Sequence, residues 1–355
     1  MTDKGGHSMA IRRVTIQDVA DACGLSRNTV SKVFNGRGTV MEPTRQMVLK
    51  KAQELGYFVL ARENAVQSEI HAQSIVLLTR HMPANYHFGT IFIPAFAAQL
   101  SRAGYTLMMY EISEEELTHG ILPAHISLEQ TAAILAIELF DREYTKKLCD
   151  LGLPVLLVDG YCGAVTNMLS YDLISMENLP GVRALVNHVI SKGAHKLGFI
   201  GDPNHCESFH ERWVGFYTAL TDLNITLNKE LCILDADESP YGDPRWLAEK
   251  IRQMPQLPDA FICVNDYIAI HVMTALKHIG LSIPGQIMVA GFDGSAQSAV
   301  VEPSLTTVQI PGKEIGRIAA DILLNRISNP SRSPIIVYVK TTPLWRESTN
   351  RKTKV

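Results

Sequence analysis

The sequence predicts an α/β protein in two parts, a small N-terminal bundle of three helices and a larger core of parallel sheets covered by helices on both faces. Its 355 residues exceed what one compact core of ordinary size holds. Two capped helical segments separated by a glycine lie near the N-terminus, and apolar runs alternate with amphipathic segments from residue 74 onward. We therefore expect a helical domain at 12–58, a linker at 59–73 and the core at 74–348.

The first helix of the N-terminal domain carries its own cap. Thr15 is placed to accept the amide hydrogen of Asp18, and the Asp18 carboxylate can reach back to the Thr15 amide, which makes a capping box. Apolar residues follow at helical spacing until Gly24 ends the helix, and Ser26 caps a second helix. A third helix is predicted over 42–55, with inward side chains at Met47, Val48, Ala52 and Leu55. Two short helices joined by a glycine turn are typical of a helix-turn-helix.

The second helix has a polar face that suits DNA. Arg27 and Asn28 lie at its N-terminus, the end that enters the major groove in this motif, and Lys32 follows on the same face. Arginine can donate two hydrogen bonds to guanine, and asparagine can pair with the N6–N7 edge of adenine. Thr29 and Ser31 are better placed for phosphate. The alternative is a solvated helix face, but the two caps and the glycine turn together favour DNA binding.

Charge is divided between the two parts in the direction that DNA binding requires. Residues 1–70 contain ten Lys or Arg and seven Asp or Glu, a balance of +3. The rest of the chain contains 23 basic and 29 acidic residues, a balance of −6. A mildly basic N-terminal part on an acidic body fits a protein whose small domain meets phosphate.

Continuous apolar runs in the core predict parallel strands that are buried on both faces. The predicted strands are 74–78, 106–110, 132–137, 154–159, 196–201, 231–234, 260–264 and 287–292. Ligands of doubly wound sheets bind outside the carboxyl ends of the strands. The polar residues that follow these strands are therefore candidates for a binding site.

Composition and motif searches exclude several classes of protein. The chain is 46% hydrophobic and 19% charged, as globular domains are, and has no apolar run long enough to span a membrane. Its N-terminus lacks the pattern of a secretory signal, so we expect a cytoplasmic protein. The 6 cysteines form no CxxC pair, and the 12 histidines lack metal-ligand spacing. No GxSxG, HExxH or phosphate-binding glycine loop is present. We expect no enzyme activity, cofactor or metal.

Several segments resemble the lactose and galactose repressor family of bacterial regulators. The N-terminal match is carried by VTIQDVADACGLSRNTVSKVFNGRGTV and by TRQMVLKKAQELGY. In the core, FICVNDYIAIHVMTALKHIGLSIPGQIMVAGFDGS and EPSLTTVQIPGKEIGRIAADILL agree as well. The resemblance covers roughly residues 12–348 and implies a core of two interleaved lobes, like that of periplasmic sugar-binding proteins. It also implies operator DNA as a partner and a small-molecule effector bound between the lobes.

By this resemblance the polar face of the second helix falls on the family's base-reading positions. Val66 stands where relatives have a leucine that wedges into the minor groove and kinks DNA. Val59, Glu63 and Asn64 also depart from the family's linker pattern. We therefore expect a linker here, but not a folded linker helix that kinks DNA strongly. The predicted DNA-binding residues are Thr15, Ser26, Arg27, Asn28, Thr29, Ser31, Lys32, Asn35 and Val66.

The resemblance likewise implies an effector cleft. Asp266 matches an acid that accepts hydrogen bonds from the effector, and Arg212 matches an arginine that clamps it. For both, a helix cap or a structural ion pair is the alternative role. The predicted effector-binding residues are Phe88, Asp159, Arg212, Glu238, Asn265, Asp266 and Asp293, of which Asp293 is taken mainly as an organiser of the cleft's lip.

One departure bears on the kind of effector. Glu238 falls where relatives often stack an aromatic ring on the ligand, and Tyr241 is an alternative source of that ring. Together with Asp159 and Asp266, Glu238 makes a cleft rich in hydrogen-bond acceptors. Such a cleft favours a neutral polyol, a sugar or an amine-bearing ligand over a purine or a sugar phosphate.

These observations predict a sequence-specific DNA-binding repressor of a carbohydrate-utilisation operon, controlled by a small polar effector, most simply a sugar or sugar derivative. The chain has no leucine heptads near its end, so we expect a homodimer on a pseudo-palindromic operator. The alternatives are a sugar-binding protein without a regulatory role and a regulator that responds to a nucleoside or a protein partner.

Overall fold

The capping signals near the N-terminus produce three helices, α1 (Ile16–Cys23), α2 (Arg27–Asn35) and α3 (Glu42–Glu54). The computed structural model describes residues 14–35, 40–55, 73–82, 89–166 and 168–351, and the chain divides into two compact units, 1–70 and 71–355. The Thr15 hydroxyl accepts from the Asp18 amide at 3.3 Å, and the Asp18 carboxylate accepts from the Thr15 amide at 2.7 Å. The predicted capping box is therefore present, and it determines where α1 begins.

The turn between α1 and α2 requires a glycine. Gly24 has φ 64°, a left-handed conformation that costs a residue with a Cβ atom free energy. The Ser26 hydroxyl then accepts from the Thr29 amide at 3.1 Å, which caps α2. Both features confirm the predicted helix-turn-helix.

The small core of this unit is built from side chains that recur at helical spacing. Among the described residues, its buried apolar side chains are Val19, Ala20, Val30, Val33, Val48 and Ala52. The inward position predicted for Met47 and Leu55 is wrong, because these side chains are 42% and 38% exposed. On α3, Val48 and Ala52 lie one turn apart and fill the inner face, whereas Met47 lies about 100° around the helix and Leu55 follows its end.

The larger unit contains two parallel sheets and a short antiparallel pair. The first sheet has the order β10-β5-β4-β3-β1-β2, the second has the order β6-β7-β8, and β9 pairs with β11. The strands are β1 (Ser74–Thr79), β2 (Thr106–Glu111), β3 (Thr131–Ile137), β4 (Val155–Val158), β5 (Asp172–Met176), β6 (Leu197–Ile200), β7 (Ala260–Cys263), β8 (Met288–Ala290), β9 (Thr307–Gln309), β10 (Ile336–Val339) and β11 (Thr342–Leu344). Because β10 returns to the first sheet after β6–β8, the two sheets are interleaved along the chain.

Helices cover both faces of the first sheet. Successive residues of β1 point to opposite faces, so that Ile75 packs in one apolar cluster with Phe92 while Val76 packs in the other with Tyr144. The helices of this unit are α4 (Gly89–Arg102), α5 (Glu114–His119), α6 (Arg142–Asp150), α7 (Leu179–Ser191), α8 (Glu207–Asp222), α9 (Pro244–Arg252), α10 (Asp266–His278), α11 (Ala296–Val300) and α12 (Gly312–Ser328). In the described ranges, no helix has the length and apolar character needed to cross a membrane.

Three predictions about the chain's organisation have different outcomes in the structure. The predicted strand at 231–234 is wrong, since only a single bridge pairs Ile233 with Ile200 and a short 3-10 turn precedes it. The core continues past residue 348, because the Arg351 guanidinium donates to the backbone carbonyls of Pro284 and Gln286. The predicted linker at 59–73 falls almost wholly outside the described residues.

Candidate functional site

The outer face of α2 presents polar side chains to solvent. Arg27, Asn28 and Lys32 are exposed, and none of them has a hydrogen-bond or ion-pair partner within the described ranges. Their accessibility agrees with the role predicted for them at base edges. Thr29 and Ser31 are half-buried beside them.

The other predicted DNA contacts are placed differently. The Thr15 and Ser26 hydroxyls are engaged in the caps of α1 and α2, where each accepts from a backbone amide of its own helix. Asn35 is the last residue of α2, and its side chain is not described. Val66 lies outside the described residues, as does the rest of the predicted linker up to residue 72.

A cavity of about 730 Å³ lies at the carboxyl ends of strands from both sheets of the larger unit. Glu138 follows β3 and Asp159 follows β4 in the first sheet, while Asn265 follows β7 and Asp293 follows β8 in the second. The cavity therefore lies where the rule for such sheets places a ligand, beyond the carboxyl ends of the strands. Arg212 of α8 and Glu238 also line it, so five of the predicted effector residues come together here, namely Asp159, Arg212, Glu238, Asn265 and Asp293.

Backbone strain is concentrated at this cavity. Among the described residues, four non-glycine residues have positive φ, and three of them line the cavity. These are Glu138 (φ 53°), Asp159 (φ 60°) and Asp293 (φ 116°). Such conformations cost about 1–3 kcal/mol each and persist where the surroundings impose them. Here these backbone conformations set the direction in which the three carboxylate side chains project from the ends of their strands.

Arg212 is buried, and its Nε and Nη1 atoms are engaged by the protein. Its Nε donates to Asn178 Oδ1 at 2.9 Å, and its Nη1 donates to the Val264 carbonyl at 2.9 Å and to Asp293 Oδ1 at 3.3 Å. The guanidinium also lies 3.9 Å from the centre of the Phe292 ring. Arg212 thus joins α8 to the ends of β7 and β8, as the structural alternative requires. It also lines the cavity, so its role as an effector clamp stays a prediction.

The same network reaches the crossover to the first sheet. Asn178 Nδ2 donates to Glu211 Oε2 at 2.7 Å, and the Tyr338 hydroxyl donates to Glu211 Oε1 at 2.6 Å. Asn178 follows β5, and Tyr338 lies on β10. The polar chain therefore connects the cavity wall to both strands at the edge where the chain passes between sheets.

Asp266 is placed differently from the other predicted effector residues. It is 1% exposed and is not part of the cavity wall, because its carboxylate turns back into the protein. There it accepts from Thr307 Oγ1 at 2.5 Å and from the Ser295 amide at 2.7 Å. Its neighbour Asn265 lines the cavity instead and caps α10 by accepting from the Ile268 amide.

The remaining wall is aromatic and acidic. His205 Nδ1 lies 3.2 Å from Asp237 Oδ2, and the His205 ring meets Phe140 edge-on at 4.9 Å. Tyr241, the alternative source of a stacking ring, is 3% exposed and does not line the cavity. Phe140, Phe209 and Tyr267 line it instead, and Phe88 lies outside the described residues.

Some of these residues were within reach of sequence reasoning. Glu138 is the first residue after β3, so the rule applied to Asp159 also identifies it. His205 and Phe140 belong to loops that are distant in sequence, and no local pattern brings them together. Within the described residues, no group of three or more His, Cys, Asp or Glu side chains is arranged to hold a metal ion.

Burial controls the acidity of two carboxyl groups on the cavity wall, Asp159 and Asp293, and of the buried Asp266. It raises the pKa of Asp293 to about 7, although the Arg212 guanidinium acts in the opposite direction. Burial also raises the pKa of Asp159, where hydrogen bonds from Ser208 and Gly160 oppose it. The pKa of Asp266 is raised by burial to about 6, against the hydrogen bond from Thr307.

We expect Asp293→Asn to weaken the pH dependence of stability. Asp293 faces Arg212, Asp266 and Glu138, and its folded-state pKa lies above its ordinary value. Stability from such a group is present below the ordinary pKa and is lost as pH rises through the folded-state pKa, because the unfolded chain then releases the proton more readily. Urea unfolding followed by tryptophan fluorescence from about pH 5 to about pH 8 should show a smaller decline in the variant. An unchanged decline would contradict the assignment.

Two family models match the chain. The model described as bacterial regulatory proteins, lacI family, matches residues 15–58, and the periplasmic binding protein-like domain matches residues 186–349. The first match covers the helix-turn-helix, and the second covers the second sheet and most of the cavity residues described above.

Full-length relatives and solved structures agree with these matches. The transcriptional repressor PurR of Vibrio vulnificus is 29% identical over 89% of this chain and 92% of its own length. The transcriptional regulator CelR of Thermobifida fusca is 24% identical over 95% and 98%. The Lac repressor dimer bound to operator and the anti-inducer ONPF aligns with a TM-score of 0.71 at 22% identity, over 95% of this chain and 99% of that one. A CelR–cellobiose complex aligns with a TM-score of 0.67 at 21% identity, over 95% and 100%.

Proposed function

We propose that this chain, which belongs to the lacI family of bacterial regulatory proteins, represses a carbohydrate-utilisation operon and is controlled by a small polar effector. The family consists of DNA-binding regulators rather than enzymes, and the prediction of a non-enzymatic protein is confirmed on that ground. The target operon, the residues that bind and the effector belong to the proposal.

The exposed face of α2 is the observation that carries the DNA-binding part. Arg27, Asn28 and Lys32 project from a helix whose opposite face holds the core residue Val30. A helix anchored on one side and polar on the other can enter a major groove without disturbing its own packing. The Lac repressor structure that this chain resembles is a dimer on operator DNA, which supports a dimer that reads two half-sites here.

The cavity supports the effector part. Its volume of about 730 Å³ is in the range of small-molecule sites, and it combines aromatic rings with a few polar groups. CelR, a relative in both sequence and structure, is seen in complex with cellobiose. A ligand that bridges the ends of both sheets shifts operator affinity only by its difference in affinity between two lobe arrangements.

We expect Arg27→Ala to relax operator specificity at one base pair by about 1–3 kcal/mol, because a bidentate arginine–guanine contact is lost. An operator is first selected from a random DNA library with the intact protein. Anisotropy titrations then compare the operator with single-base variants for both proteins. Lys50→Ala is the control, because Lys50 is exposed on α3 and its loss removes an equal charge. A uniform loss of affinity on every sequence would make Arg27 a phosphate contact.

The effector part is tested with sugars, sugar acids, sugar phosphates and nucleosides in a thermal-shift screen of the intact protein. Binding to the folded state raises the free energy of unfolding by mass action, by about 2.7 kcal/mol when the ligand is at a hundred-fold excess over Kd. The melting temperature rises as a result. Each hit is then tested for its effect on operator affinity. A sugar that changes operator affinity supports the proposal, whereas a response confined to nucleosides contradicts the carbohydrate assignment.

A further inference from the structure

The first turn of α8 contacts the segment that follows β4, so that parts of two different sheets meet beside the cavity. Ala164 of this segment packs in the apolar cluster on one face of the first sheet. Phe216 of α8 lies against Phe199 of the second sheet, with ring centroids 5.4 Å apart. Glu207 is the first residue of α8 and is only 4% exposed. Its carboxyl group is therefore buried where one sheet would move against the other.

The Glu207 carboxylate holds the opposing segment by its backbone. Oε2 accepts from the Gly163 amide at 2.6 Å and from the Ala164 amide at 3.1 Å. In the other direction, the Glu207 amide donates to the Gly160 carbonyl at 2.8 Å. Hydrogen bonds from amides to a carboxylate are roughly twice as strong as those between neutral groups, and burial strengthens them further. One residue therefore makes three hydrogen bonds across the junction.

The same junction fixes part of the cavity wall. The Ser208 amide donates to Asp159 Oδ1 at 3.2 Å, and Asp159 is one of the cavity residues with positive φ. Cys206 and Ser208 line the cavity on either side of Glu207, which does not line it. Glu207 therefore acts on the cavity through its neighbours and not by contact with what binds there.

We propose that Glu207 is a positioning residue that holds the two sheets together beside the cavity and so stabilises one of the two lobe arrangements on which operator affinity depends. The inference rests on the proposed function, in which an effector acts by its preference between those arrangements. Separation of the sheets breaks the bonds of Glu207 to Gly163 and Ala164, and these polar groups must then find water. An effector in the cavity therefore acts with or against this restraint.

Amide hydrogen exchange in the intact protein, read by mass spectrometry with residue-level fragmentation, measures the restraint. The first amides of a helix have no partner within the helix, so the protection of the Ser208 amide depends on its bond to Asp159. Glu207→Met keeps a similar side-chain length and removes the acceptor of Gly163 and Ala164. We expect the Ser208 amide to exchange at least about tenfold faster, while the buried strands keep their rates.

Glu207→Gln keeps an acceptor oxygen but loses the charge, so we expect a smaller increase of about threefold. Asp259→Leu is the matched control, because Asp259 Oδ2 also accepts from two consecutive amides, those of His195 and Lys196, at 2.7 and 2.9 Å. These bonds join the starts of β6 and β7 within the second sheet, so their loss should leave Ser208 exchange unchanged. An equal increase in the control overturns the inference. An unchanged rate in Glu207→Met does so too, as does one in Glu207→Gln if the methionine variant does not fold.

Operator affinity is measured on the same variants, so that the two proposals fail separately. On an operator selected with the intact protein, we expect Glu207→Met to change affinity at least about threefold without any effector, and Asp259→Leu to leave it unchanged. Faster Ser208 exchange with unchanged operator affinity overturns the inference and leaves the proposed function standing. If the intact protein binds no DNA sequence selectively, the proposed function is wrong, while the exchange rates still decide whether Glu207 holds the sheets together.

Discussion

Replacing Arg212 with methionine is expected to lower the free energy of unfolding of the larger unit by about 3–5 kcal/mol. Methionine has a similar length and preserves much of the packing, so the loss comes from charge and hydrogen bonding. Asn178 Oδ1 and the Val264 carbonyl lose their donor, and Asp293 loses its counter-ion. Buried acceptors without a partner carry the full cost of their desolvation.

Urea unfolding followed by tryptophan fluorescence reports on this unit alone, because all 3 tryptophans lie beyond residue 200. The matched control is Arg183→Met, which removes an ion pair with Asp222 at 2.6 Å on a side chain that is 41% exposed. Surface pairs of this kind contribute about 0–1 kcal/mol. If Arg212→Met loses no more than this control, the network is not a stabilising element.

Replacing Val30 with aspartate is expected to unfold the helix-turn-helix and lower operator affinity more than about a hundredfold, which corresponds to about 2.7 kcal/mol. Val30 is 0% exposed in a core of only six buried apolar side chains among the described residues of this unit. An unpaired carboxylate there costs several kcal/mol, and a domain with so small a core has little stability to lose. Calorimetric binding of an effector to the larger unit should persist.

The control is Met41→Asp, which makes the same charge change at a residue that is 75% exposed in the same domain. We expect it to fold normally and to lose operator affinity only through its added negative charge, with a smaller effect that decreases as salt rises. Circular dichroism separates the two outcomes, since part of the helical signal is lost when α1–α3 unfold while the helices of the larger unit persist. A folded Val30→Asp variant with normal operator binding would contradict the assignment of the core.

Sequence reasoning was most successful where the decisive contacts are local. The capping box of Thr15 and Asp18 and the cap at Ser26 each join residues three positions apart, so the pattern and the structure contain the same information. The inward side chains of α3 were harder to identify, because Met47 and Val48 are both apolar. Only the packing of α3 against α1 and α2 decides which of them is buried.

The candidate cavity was predicted by a general rule and then altered by packing. Asp159 and Asp293 line it because they follow strands, as the rule requires. Asp266 also begins a helix after a strand, but Thr307 and the Ser295 amide draw its carboxylate away from the cavity. The positive φ of Glu138 is likewise imposed by the surrounding structure, and no residue preference of glutamate predicts it.

The linear pattern of residues was enough to predict a helix-turn-helix and an α/β core, because periodicity, caps and motif spacing act over a few residues. Which polar residues face the cavity, and which hold it together, became known only from the packed chain. The bonds of Arg212 join residues 34, 52 and 81 positions apart. Whether such a side chain is free or engaged depends on the geometry of three separate elements, and local sequence contains no information about their distance.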